Sequence, residues 1–235
     1  MEINAKSQRA LIWTFIALSQ VYTWSYVSLV GFWPPPSPAL DAAAVLQMYA
    51  DHNMRFRVGI ILMMFSGAFF LPLTVVISAQ MARLEKGYPI WSKLQLTTGT
   101  LGAWLFAFPP FLWGVAAFSV ERAPELTLLV HEMGWLCFVV PPSYFAMQMI
   151  PIGVVTFSKD NNDSSPFPRW FGYLTFWMAV SGSFGAAAML FKTGPFAWNG
   201  LFPFYLPIII FSAWLVSLCC TLFPAIRRQE QLAQR

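Results

Sequence analysis

Charge is what this sequence has least of. Asp, Glu, Lys and Arg make up 10% of its 235 residues, against about 25% in soluble globular domains. Hydrophobic residues make up 57% and mean hydropathy is +0.58, which together exclude a water-soluble domain. Cysteine is scarce. Cys137, Cys219 and Cys220 all fall in apolar stretches without a CxxC pair, so no disulfide framework is implied. Catalytic motifs are missing: there is no GxSxG, HExxH, P-loop or histidine-box array. No Asp, Glu, Lys, Arg or His lies near the middle of an apolar stretch. Pumps and proton-coupled carriers usually hold one there, so an ion-coupled transporter is disfavoured. The net charge of +4 does not indicate a nucleic-acid partner, because the basic residues are scattered over short loops and form no stripe.

What is abundant is apolar length. Six stretches are long enough to cross a bilayer as helices: roughly Ala10–Trp33, Val58–Met81, Leu94–Phe118, Gly134–Phe157, Trp170–Phe191 and Leu201–Ile226. The expected fold class is all-α, a polytopic membrane helix bundle forming one domain over 1–235. The first stretch follows a basic stub, as in a signal peptide. It is too long for one and no small-residue cleavage site follows, so an uncleaved first helix is expected. Pro34-Pro35-Pro36 ends it. Ser37-Pro38 then reads as a helix start, with serine as cap and proline at the first position. The segment to about Tyr49 is expected to be a short helix lying on the outer membrane surface.

Six spans place both termini on one side. Ten basic residues (Lys6, Arg9, Arg83, Lys86, Lys93, Lys159, Arg169, Arg227, Arg228, Arg235) fall on that face and four (Arg55, Arg57, Arg122, Lys192) on the other. The richer face is cytoplasmic by the positive-inside rule.

Two consecutive spans carry a double proline, Pro109-Pro110 and Pro141-Pro142. Each pair removes backbone donors and breaks a helix. Counting at 1.5 Å per residue puts both pairs about 10–13 Å below the outer surface. Bends at matching depth in neighbouring helices can part them into an outward-facing pocket; the plainer alternative is a packing kink. Ser181 with Gly185, and Thr98 with Gly102, are small residues four apart that permit close helix approach, read as internal packing rather than dimerisation.

Titratable groups gather at the outer edge. His52 has Asp51 beside it and His131 has Glu132. Two imidazoles and two carboxylates could bind a transition metal, although adjacent helical residues point about 100° apart and ligate together poorly. The competing reading is an interfacial polar cluster. Arg57 could anchor a helix by snorkelling, or bind an anionic group. Trp33, Trp135 and Trp198 are most simply interfacial belt residues; they could also wall an apolar pocket.

The run Ser37-Pro38-Ala39-Leu40 through Asp51, ending in Arg57-Val58-Gly59, resembles the segment before the second helix in a group of uncharacterised bacterial six-helix integral membrane proteins. The run Lys192-Thr193-Gly194-Pro195-Phe196-Ala197-Trp198-Asn199-Gly200 resembles the same group. The resemblance implies a bacterial inner-membrane location and no particular activity. Three functions follow as expectations. The leading one is binding or transport of a small apolar or amphipathic ligand near Pro109 and Pro141, with Arg57, Glu132, Trp135 and Trp198 at the mouth. The second is a membrane-embedded metalloenzyme using His52, His131 and Glu132. The third is an accessory subunit that stabilises a partner subunit.

Overall fold

Asn4 starts the first helix: its Oδ1 accepts from the Ser7 N–H at 3.0 Å and caps α1 (Ala5–Trp24). This computed structural model describes residues 4–140, 142–158 and 165–233, and every regular element within them is helical. α1 widens into i→i+5 turns over Ser25–Val30 and stops at Gly31, whose φ of +72° suits a residue without Cβ. A short helix follows, but not from Ser37. Ser37 Oγ accepts only from the nearby Ala39 N–H. Asp41 is the cap, accepting from the Ala44 N–H at 2.8 Å, and α2 spans Ala42–Asp51. Val45 and Tyr49, four apart on one face, are fully buried and pack α2 on α7.

Among the described residues, six helical columns follow one another along the chain. The first is residues 5–30. The second, Asn53–Ala82, joins α3 (Asn53–Ser66) to α4 (Phe70–Ala82). The third, Ile90–Phe118, joins α5 (Ile90–Ala103) to α6 (Phe108–Phe118). The fourth, Pro124–Phe157, joins α7 (Pro124–Val139) to α8 (Pro142–Phe157). The fifth is α9 (Arg169–Ser183) with a tightened end to residue 189. The sixth is α10 (Leu206–Ala233), preceded by wide turns over Leu201–Tyr205. The second, third, fourth and sixth columns are long and apolar enough to cross a membrane.

The fourth column starts ten residues before the expected Gly134. Pro124 suits a first helical turn and Glu125 faces its dipole there. The polar residues His131 and Glu132 therefore lie inside a helix, each with a partner from elsewhere in the chain.

The columns stand round a ring in chain order. α4 packs on α1 and on α5, α5 on α8, α8 on α9, α9 on α10, and α10 back on α1. Phenylalanines from four columns fill the middle: Phe69 and Phe106 lie 4.6 Å apart, Phe106 and Phe211 6.1 Å, Phe145 and Phe211 5.7 Å. At one end the first and last columns are tied. Arg9 donates to both Glu230 oxygens at 2.9 and 3.1 Å, and Gln80 Nε2 donates to Gln8 Oε1 at 2.6 Å. The buried Gln80 and Gln229 amides are also within bonding distance. At the other end the Trp198 indole donates to the Pro36 carbonyl at 2.8 Å.

Candidate functional site

Besides the wide turns that end the first column and open the sixth, the second to fifth columns each lose regular α-geometry, and proline chemistry explains the third. Pro109 and Pro110 carry no N–H, so the Leu105 and Phe106 carbonyls have no donor four residues on. The chain tightens over Trp104–Phe106, and α6 restarts with both prolines in its first turn. The fourth column breaks at Val140; its partner residue Pro141 lies outside the described residues. The second column tightens over Gly67–Phe69 and the fifth over Phe184–Met189.

These breaks meet in pairs, and the pairs differ. Gly67 faces the Phe106 carbonyl so closely that a Cβ there would stand 2.8 Å from its oxygen. Gly185 sits tighter: a Cβ would stand 1.7 Å from the Val139 oxygen. Backbone seals against backbone at both. Where the third and fourth columns break, none of the residues lining the gap is a glycine, and the side chains hold the breaks apart. A groove of about 500 Å³ results, lined by Trp104, Leu105, Phe108, Pro109, Met133, Leu136, Cys137, Val140, Tyr144 and Met189. Behind it lies a chamber of about 100 Å³ between Leu105, Phe106, Phe138, Val139, Phe145 and residues of the fifth and sixth columns. Leu105 borders both. No charged side chain lines either one.

Away from the breaks the interior changes character. Thr74 on α4, Gln95 on α5 and Gln148 on α8 are all buried, and among the described residues neither amide nor the Thr74 hydroxyl has a hydrogen-bond partner. A buried polar group left unpaired costs about 1–3 kcal/mol. Gly99 lets these groups converge: a Cβ there would lie 2.9 Å from both Gln148 Nε2 and Thr74 Oγ1. Nearby, Pro151 deprives the Met147 carbonyl of its helical donor, and Thr98 Oγ1 lies 3.2 Å from it.

The four residues expected at a ligand mouth lie apart from the groove, whereas Pro109, expected beside the ligand, lines it. Arg57 stacks over Phe118, 5.5 Å from the ring centre. Glu132 pairs with Lys192 at 3.0 Å. Trp135 is fully buried in an aromatic core, 5.1 Å from Trp113, 5.2 Å from Phe32 and stacked on Trp198 at 6.2 Å. Its role there is packing. The two histidines have different surroundings. His131 is buried, and its Nδ1 shares a 2.8 Å hydrogen bond with the Tyr49 hydroxyl. Burial holds that hydroxyl well above its ordinary pKa, so it stays protonated. His52 is exposed beside Asp51 and Arg55 in a surface concavity. Among the described residues no three His, Cys, Asp or Glu side chains gather as metal ligands.

Leu105, Gln95, Gln148 and Thr74 escape a reading that looks for charge, since none is ionisable. The available signal is a glutamine inside an apolar stretch, where an amide is nearly as conspicuous as an ion. Comparison of the chain with protein-family models, curated proteins and solved structures finds no match.

Proposed function

We propose that this protein is a six-span bundle of the bacterial inner membrane with both termini cytoplasmic, binding a small apolar or amphipathic molecule in the groove between its third and fourth columns. The groove carries this reading. It is large enough for a small ligand, wholly uncharged, and formed where two backbone breaks stand apart. Four membrane-length apolar helices support the location. The first and fifth columns pack in the same ring and would supply the other two crossings. The ten-to-four distribution of basic residues supports the orientation. α2 would then lie at the outer surface beside the Trp198 loop.

The groove faces outward from the ring, toward the surrounding lipid, because Trp104, Met133, Tyr144 and Met189 on its walls are all exposed. Entry would be lateral, from within the bilayer. The test is equilibrium binding of tritiated dodecane to the purified chain. Leu105→Trp places an indole between groove and chamber and should abolish binding, while Arg57→Ala, remote from the groove, should leave it unchanged. Undiminished binding to Leu105→Trp would sink the proposal. A periplasmic reporter fused after Arg235 should be inactive; an active one reverses the orientation.

A further inference from the structure

A hydrocarbon already dissolved in lipid gains little hydrophobic energy by moving into an apolar groove, because lipid tails are as apolar as the groove wall. Selection among lipid-soluble molecules must therefore come from shape and from polar groups that lipid cannot satisfy. The groove and chamber offer no polar side chain beyond the Trp104 indole N–H, the Tyr144 hydroxyl and the Cys137 thiol, all on the groove side. The interior beyond them does. Gln148 lies one turn inward of Phe145, which walls the chamber, and Gly102 lies one turn inward of Phe106, which walls its other side. Gln148 Oε1 faces Gly102 across room for a methyl group: a Cβ added at Gly102 would meet only that oxygen, at an ordinary contact distance of 3.6 Å. The amide is 1% exposed and has no hydrogen-bond partner among the described residues.

Taking the groove as the ligand site, we infer that its ligand is an uncharged amphiphile whose hydroxyl or carbonyl head is hydrogen-bonded by the side-chain amide of Gln148. A carbonyl would accept from Nε2; a hydroxyl would donate to Oε1. An amide can serve either, and the unpartnered Thr74 hydroxyl close to Nε2 adds a second donor or acceptor. A charged head is disfavoured, since no residue there could neutralise it and the surroundings are dry and apolar. The apolar tail would occupy the chamber and groove past Leu105.

The experiment compares tritiated 1-dodecanol, dodecane and dodecanoate on the full chain in detergent. The unmodified protein should bind dodecanol about tenfold more tightly than dodecane, as one added hydrogen bond predicts, and dodecanoate at neutral pH more weakly than dodecanol. Gln148→Met, unbranched and of similar length, should remove the preference for dodecanol and leave dodecane binding intact, which also shows the variant is folded. Equal binding of dodecanol and dodecane, or a preference that survives in Gln148→Met, overturns the inference and leaves the groove standing. Loss of neither probe in Leu105→Trp overturns the groove itself. A measurement needing no variant is the infrared carbonyl stretch of 13C-labelled 2-dodecanone bound to the unmodified protein. A shift to lower frequency than in dodecane solvent supports the amide contact; an unshifted band overturns it.

Discussion

The junction between the fourth and fifth columns is closed, and the junction between the third and fourth is open, although both contain a helix break. At the closed one Gly185 lies against the Val139 carbonyl, so that a single Cβ would overlap it at 1.7 Å. At the open one Leu105, Pro109, Cys137 and Val140 face each other with their side chains intact, and a groove of about 500 Å³ separates them. Proline supplies the break in the third column, but proline does not decide whether space results. Glycine opposite the break does, by allowing backbone to approach backbone. The second junction, Gly67 on Phe106, repeats the closed arrangement less tightly.

Glycine-to-alanine substitutions therefore rank the junctions. Gly185→Ala should be the most damaging, costing more than about 4 kcal/mol, because the clash is with backbone that cannot move aside. Thermal unfolding by circular dichroism in detergent should show it, or the chain should fail to yield a monodisperse peak. Gly67→Ala, with 2.8 Å to the Phe106 oxygen, should cost about 1–3 kcal/mol in the same assay. Tyr49→Phe strips the buried His131 Nδ1 of its partner and should cost about 1–3 kcal/mol. It should loosen α2, read as faster amide exchange over residues 42–51. Gly102→Ala should be neutral or stabilising by up to about 1 kcal/mol, since alanine favours the helix and its Cβ meets ordinary contact. If Gly102→Ala were as harmful as Gly185→Ala, close approach would not be what distinguishes the junctions. Lys192→Ala should matter least. The Lys192–Glu132 pair sits over the closed junction with Lys192 largely exposed, so its loss should change stability by less than about 1 kcal/mol.

Much of this was legible from composition and pattern. Apolar length places the columns, and Pro109-Pro110 marks the break in the third to within a turn. The spacing of Ser181 and Gly185 flags close approach, although it cannot say that the Val139 carbonyl is the surface approached. The start of the fourth column was not legible, because a local reading treats Glu125, His131 and Glu132 as a polar connection. Their place in a helix depends on Tyr49 and Lys192, distant in sequence. The Ser37-Pro38 pair points to a helix start four residues early, because the Asp41 carboxylate that accepts from the Ala44 N–H is the actual cap. Charge and aromaticity point to Arg57, Glu132, Trp135 and Trp198. Trp135 and Trp198 stack on each other away from the groove, and the unpaired amides of Gln95 and Gln148 carry no charge to draw notice.

The knot of amides at Gln8, Gln80 and Gln229, together with Arg9 and Glu230, has a bearing on biogenesis. Its parts come from α1, α4 and α10, so the ring cannot be latched until residue 230 has been made. Until then the earliest helix keeps a polar edge turned toward a gap in the wall. A chain cut short before residue 229 would thus be an unfastened hoop, and the turn of α10 that carries Gln229 and Glu230 serves as its buckle.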